Sequence, residues 1–332
     1  MAVDSKTLLG PLLRDVSRSF YTTLRVLPRS IHSHIGLAYL LARTTDTIAD
    51  TDLLPVGQRL EALDRLRRRI TGTETAGIDL GELAGKQSSA AERILLERCE
   101  DAVALLQCTP ESDRKLIREV LQVITSGQEL DLRRFASASA DTIATLQTDA
   151  ELDDYTYRVA GCVGEFWTKL CRAHLFPAAK LDDAFLLANG VRFGKGLQLV
   201  NILRDLPSDL RNGRCYIPAD RLNQIGFTAK DLMRSENEPR FWPLYNEYLN
   251  KAEAHLRAGW DYTKALPRGQ IRVRLACAWP ILIGMETIRL LRRENVLDGS
   301  KRIKVSRPET KRIIRRSVML YPFRKSWDVL VD

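Results

Sequence analysis

Between Gln198 and Asp209 the chain places Gln198, Asn201, Asp205 and Asp209 at successive spacings of three, four and four, with mostly apolar residues between them. On a helix that spacing makes one polar stripe. Polar side chains in line on an apolar helix are costly to bury without partners. The chain must therefore fold so that this stripe meets something that binds it. A second acidic element, Asp46-Thr-Ile-Ala-Asp50, follows the apolar run from Ile35 to Ala42. Helical spacing of four brings its carboxylates to one face, with Cβ atoms about 5–6 Å apart. Such like charges repel, and the fold gains nothing from them unless a cation lies between. Taken alone, Asp46 and Asp50 also fit an exposed acidic turn near a helix end. Two stripes in one helical chain instead suggest two helices facing each other across a cavity. Their oxygen ligands suit several Mg²⁺ ions held against a diphosphate.

The rest of the chain reads as all-α. Leu60, Leu63, Leu66 and Ile70 form one apolar stripe. Ile94, Leu95, Ala102, Leu105 and Leu106 predict a second helix, and Leu116, Val120, Val123, Ile124 and Gly127 a third. Val163, Phe166, Trp167 and Leu170 continue the pattern, as do Leu186, Leu187, Val191 and Phe193. No strictly alternating run stands out. Thr71–Ser89, with four glycines, is the expected main loop, and Asn212-Gly213 marks a turn. No long linker interrupts the helices, so a single catalytic domain over residues 1–332 is expected. Six cysteines without a Cys-x-x-Cys pair are expected to be reduced, in a cytoplasmic setting. No signal peptide or membrane-spanning run is read from the sequence. The net charge of +9 concentrates in a basic segment, 289–325, with 13 basic and 3 acidic residues. Such a segment suits an anionic surface or a phosphorylated cofactor. Nucleic acid is not expected, since no helix-turn-helix signature accompanies the charge and unmetallated acid pairs repel phosphate.

Five motifs in order carry a family resemblance. They are Ser17-Arg-Ser-Phe20, Arg43-Thr-Thr-Asp46-Thr-Ile-Ala-Asp50, Tyr155 to Gly164, Gln198 to Asp209, and Gly213-Arg-Cys-Tyr-Ile-Pro218. With them the chain resembles the squalene/phytoene synthase family of head-to-head prenyl transferases, from about residue 8 to 290. The resemblance implies the all-α isoprenoid synthase fold, one helical domain around a central apolar cavity. It implies an enzyme that joins two prenyl diphosphates, and a non-catalytic relative would be expected to have broken acid motifs.

The resemblance also implies roles. Asp46, Asp50, Asn201, Asp205 and Asp209 would hold Mg²⁺. Arg43 and Arg204 would bind diphosphate oxygens through their planar forks. Ser17, Arg18, Ser19, Phe20, Gln198 and Tyr216 would bind substrate, with Tyr39 and Phe166 as further aromatic candidates beside the cation. Tyr155 matches the tyrosine implicated in proton removal, although diphosphate oxygen could serve as that base. Gly161 and Gly164 would let helices approach closely. Arg302 and Lys304, with Arg18 and Arg43, would bind NADPH in a squalene synthase acting on farnesyl diphosphate. A phytoene, dehydrosqualene or presqualene diphosphate synthase would need no hydride. A peripheral membrane surface is the expected docking partner for the basic segment. The sequence leaves the oligomeric state open. Two departures stand out: Ala49 replaces a third acid found in eukaryotic squalene synthases, and Pro207 is expected to kink or end the helix before Asp209.

Overall fold

The computed structural model describes residues 4–17, 20–51, 53–139 and 141–332. The expected all-α class holds. Among the described residues the only strands are β1 (Ala144–Thr145) and β2 (Arg214–Cys215), which pair in parallel with Ala144 opposite Arg214. The chain divides into two compact units, Met1–Arg133 with Lys169–Pro177, and Arg134–Thr168 with Ala178–Asp332.

The first unit is built on α1 (Arg29–Asp50), α2 (Val56–Thr71), α3 (Ala90–Glu97), α4 (Cys99–Gln107) and α5 (Glu111–Arg134), the last of which ends at the unit boundary. α1 buries Ile31, Ile35, Leu37, Leu40, Leu41 and Ile48. It runs on past this apolar stretch to end at Asp50, so the acidic motif is its last turn. α2 buries Leu63, Leu66 and Ile70, the predicted stripe, and stops at Gly72 in the left-handed conformation. The single helix expected from Ile94 to Leu106 is two helices, broken at Arg98. The glycine-rich segment after α2 is not all loop, since Gly81–Lys86 forms a helical turn that buries Leu83 and Ala84.

The second unit contains α6 (Asp149–Thr156), most of α7 (Cys162–His174, through Thr168), α8 (Asp183–Arg211), α9 (Glu238–Ala265), α10 (Ile271–Leu291) and α11 (Arg307–Leu320). α8 packs most extensively on α9. Its buried side is Leu199, Val200, Ile202, Leu203, Leu206 and Leu210, in one core with Tyr245, Leu249 and Leu256 of α9. α7 meets α8 backbone to backbone. A Cβ at Gly164 would lie 1.9 Å from the Gly190 carbonyl oxygen. Of the two glycines expected to permit close approach, Gly164 lies at this contact. A Cβ at Gly161 would meet side chains first, the nearest at 3.2 Å, but a Cβ on Gly194 of α8 would stand 3.0 Å from the Gly161 Cα, so Gly161 also lies at a close approach.

Pro207 does not end α8, which continues to Arg211. Proline has no N–H to give the carbonyl four residues back, Leu203. The buried hydroxyl of Tyr245 donates to that oxygen at 3.1 Å. A side chain on α9 thus replaces the missing backbone donor, and Asp209 stays on the same helix as Asp205. Past α8, Gly213 adopts φ +75°, and a Cβ there would strike the Ser139 backbone at 2.4 Å. The predicted turn therefore requires glycine.

Two stability measurements follow from this packing. Gly164→Ala is expected to destabilise the chain by about 3 kcal/mol or more, as overpacking against a fixed backbone does, read by urea unfolding. Tyr245→Phe leaves the buried Leu203 carbonyl unsatisfied and is expected to cost about 1–3 kcal/mol. Pro207→Ala restores an N–H donor, so adding it to Tyr245→Phe should recover most of that loss. Additive effects of the two changes would contradict the substitution of one donor for the other.

Candidate active site

The last turns of α1 carry the first acidic motif. Asp46 is partly exposed, and Asp50, the final residue of the helix, is exposed. Arg43, one turn before Asp46, pairs with its Oδ2. The other terminal nitrogen of the guanidinium donates to Glu92 Oε1 on α3 at 2.6 Å. Crowding by the surrounding protein raises the Asp46 carboxyl to about 6, and the neighbouring charge of Asp50 pushes the same way against the pull of Arg43. Its side chain keeps 39% exposure, so a small ion can reach it. Arg59 of α2 is buried and donates to the Ala49 carbonyl at 2.9 Å. That bond fixes the helix end between the two acids and places a cation at the negative end of the helix dipole. Nearby, Phe20 stacks on Tyr39 at 5.1 Å. Ser17 is buried, and its hydroxyl donates to the Leu13 carbonyl within its own helix. Arg18 and Ser19 lie outside the described residues.

In the second unit α8 presents the expected stripe. Asn201 is exposed, Gln198, Asp205 and Asp209 are partly exposed, and the aliphatic residues among them, Leu199, Val200, Ile202, Leu203 and Leu206, are buried. The stripe is one-sided, as its period predicted. Arg204 forks onto Asp205, with Nε 2.9 Å from Oδ1 and a second bond to Oδ2. The two motifs therefore share a feature that spacing did not reveal. In each, an arginine on the same helix covers a motif carboxylate.

Tyr155 and Tyr216 come together. Their rings stack at 4.8 Å, and Phe135 meets Tyr216 edge-on at 5.4 Å. Lys195 of α8 bonds Asp153 of α6 at 2.7 Å, holding the helix that carries Tyr155. Tyr216 follows β2 directly, and the segment is tied down where Ala144 N–H meets the Gly213 carbonyl and Leu146 N–H that of Cys215. Phe166 is buried core. Arg302 and Lys304 are both exposed on the irregular segment 302–306, two residues apart. Arg59 and Glu92 brace the acidic end of α1 in the first unit; in the second, Lys195 and Tyr245 brace α8 and its neighbours and Phe135 packs on Tyr216; none of these was found from sequence. Only Pro207 signalled such a need, because a proline inside a helix announces an orphan carbonyl.

The donor set fits the metal the resemblance implies. The acidic motifs offer oxygen only, and Asp46 and Asp50 are a like-charge pair whose repulsion a dication would relieve. Exposed basic side chains at Arg302 and Lys304 fit a phosphate group rather than a stacked ring.

Comparison with known proteins agrees with this geometry. Residues 13–309 match the sequence profile of the family described as squalene/phytoene synthase. A presqualene diphosphate synthase of Rhodopseudomonas palustris is 30% identical over 254 residues, covering 76% of this chain and 77% of that protein. A bifunctional lycopene cyclase/phytoene synthase of Blakeslea trispora is 27% identical over 290 residues, covering 85% of this chain. This chain spans only 44% of that protein's length, and a similar share of other fungal relatives. A solved complex of TcSQS with the ligand E5700 superposes with a TM-score of 0.76 at 22% identity, over 99% of this chain and 96% of that one. That likeness shows the fold of an all-α isoprenoid synthase. With five motifs in order, both acidic stripes on helices and a profile match over most of its length, the chain belongs to the squalene/phytoene synthase family.

Proposed function

We propose that this protein is a head-to-head prenyl transferase that joins two farnesyl diphosphates through presqualene diphosphate to squalene, using NADPH. The observation that carries the reading is the repeated pairing of an arginine with a motif aspartate, Arg43 with Asp46 and Arg204 with Asp205. Mg²⁺ bound at these carboxylates supplies Lewis-acid neutralisation of the diphosphate that departs. Were Asp46 and Asp205 to hold an ion, the Arg204 fork would be freed, and so would the Arg43 nitrogen that now meets Asp46, its other nitrogen staying on Glu92. Such guanidinium donors suit diphosphate oxygens. Each arginine thus keeps its carboxylate compensated before substrate arrives and contributes a new bond afterwards. Asp50, Asn201 and Asp209 complete the oxygen ligands.

The hydrocarbon tails need an apolar, water-poor surround. Phe20 with Tyr39, and Phe135 with Tyr216 and Tyr155, offer ring faces to developing positive charge. In this reading Tyr155, its ring fixed against Tyr216, passes its hydroxyl proton to a diphosphate oxygen as it receives the one lost on ring closure, unless the diphosphate oxygen takes that proton directly. Gln198 orients substrate, as would Ser17, Arg18 and Ser19 at the N-terminal motif. Arg302 and Lys304 bind the cofactor phosphate. A non-reducing reading, toward phytoene, dehydrosqualene or presqualene diphosphate, is favoured by one observation: both candidate cofactor ligands, Arg302 and Lys304, are exposed on an irregular segment.

α11 supports a docking role for the basic segment. Lys311, Arg312, Arg315 and Arg316 are exposed, and so are the apolar Val318, Met319 and Phe323. The hidden side of the helix is fixed by Trp279 Nε1, which donates to Ser317 Oγ at 3.0 Å. A basic helix with protruding apolar side chains suits an anionic bilayer surface, where each Lys or Arg is worth about 1 kcal/mol. Among the described residues no helix is long and apolar enough to cross a membrane.

Incubation with farnesyl diphosphate and Mg²⁺, with and without NADPH, tests the reaction by mass spectrometry of the lipid extract. Squalene formed only with NADPH is the expected result. Dehydrosqualene or presqualene diphosphate regardless of NADPH would place the chain in the non-reducing branch, and no product from farnesyl or geranylgeranyl diphosphate would refute the enzyme. Asp46→Asn and Asp205→Asn should each lower turnover about a hundredfold or more, the scale of losing a preorganised electrostatic group, with the melting temperature retained. Vesicle flotation should show salt-sensitive binding to anionic phospholipid, weakened by Met319→Glu with Phe323→Glu. Equal binding to neutral vesicles, or none, would dismiss the surface role.

A further inference from the structure

The first unit also gathers His34 of α1, Asp113 of α5 and His174, the last residue of α7. His174 Nε2 lies 2.8 Å from Asp113 Oδ1, and His34 Nε2 lies 3.2 Å from Oδ2 of the same carboxylate. The two imidazoles stack at 5.1 Å between centroids. Their ligand atoms and that of Asp113 all fall within 4.8 Å of one another, the only such trio of His, Cys, Asp or Glu among the described residues. Asp113 is 5% exposed at its side chain, while His34 and His174 keep 16% and 28%.

A buried carboxylate needs charge compensation as well as hydrogen bonds. The partners that face Asp113 are two imidazoles. Protonating both would set two cations face to face. Both Nε2 atoms face oxygens of the one carboxylate. A dication held among the three side chains would compensate Asp113 without charging either ring.

We propose that His34, Asp113 and His174 form a binding site for a transition-metal dication of the Zn²⁺ class, separate from the Mg²⁺ ligands of the acidic motifs. Two imidazole nitrogens and one carboxylate are a Zn²⁺ donor set, whereas Mg²⁺ selects oxygen. Zn–N and Zn–O bonds near 2.1 Å place tetrahedral ligand atoms roughly 3.3 Å apart. The two imidazoles now meet different oxygens of Asp113, at 2.8 and 3.2 Å, and the three ligand atoms fall within 4.8 Å, so the side chains need only draw in around one carboxylate oxygen. The exposed edge of His174 leaves a fourth position for water. The ion would clip α1 to α5 and to the end of α7, on the same α1 that carries Asp46 and Asp50. Binding only the folded chain, it stabilises by mass action.

The test uses the full chain, stripped with chelator and titrated near neutral pH with Co²⁺ alone and then Zn²⁺. One Co²⁺ per chain, a visible band of low-coordinate nitrogen-bound Co²⁺, its loss on adding Zn²⁺, and a raised melting temperature are expected. His34→Gln and His174→Gln should each weaken Zn²⁺ binding by about a hundredfold or more, beyond what losing an outer partner costs. Asp46→Asn should leave this affinity unchanged. A wild-type chain without stoichiometric Co²⁺ or Zn²⁺ would overturn the site. So would binding indifferent to both histidines and abolished by Asp46→Asn. If a histidine variant fails to fold, the wild-type Co²⁺ spectrum decides alone, since absence of the visible band refutes the assignment.

Discussion

Carboxylates crowded onto a helix end are the constraint on which the site depends. Asp46 and Asp50 sit four residues apart at the close of α1, and crowding with mutual repulsion raises the Asp46 carboxyl to about 6. The fold tolerates this because Arg43 covers Asp46 and Arg59 caps the helix between the two acids. The same compensation recurs on α8, where Arg204 covers Asp205. In both places an arginine of the same helix offsets the charge of a motif aspartate.

The geometry of α8 rests on backbone features as much as on charge. Pro207 removes one backbone donor inside the helix, and Tyr245 supplies another from α9. That bond satisfies the Leu203 carbonyl one turn before Pro207, on the helix that carries Asp205 and Asp209. Gly164 sets how near α7 lies to α8, because its place against the Gly190 carbonyl leaves no room for a methyl group. These contacts use residues remote in sequence to hold functional groups that are near in sequence.

That division explains what could be read in advance. Periodicity gave the helical class, the stripe from Gln198 to Asp209 and the placing of Asp46 and Asp50 on one helix, because spacing along a helix is a local property. The Asn212-Gly213 turn was legible for the same reason. The break at Arg98 was not, since its two helices share one apolar period. Of the two expectations for Pro207, a kink or an end, the end does not occur, and the hydroxyl that fills the missing donor's place lies 42 residues away. The stacking of Tyr155 on Tyr216, the support from Glu92 and the His34–Asp113–His174 cluster are tertiary contacts between separate segments, which a single sequence does not encode in its spacing.

The central claim is that Asp46 is held in a state that a dication relieves. Titration of its carboxyl by carbon-13 NMR, assigned with Asp46→Asn, addresses this directly. With chelator present the account predicts a midpoint raised toward about 6, falling below the ordinary aspartate value when Mg²⁺ and a diphosphate are added. An ordinary value near 4 that does not respond to Mg²⁺ would contradict it.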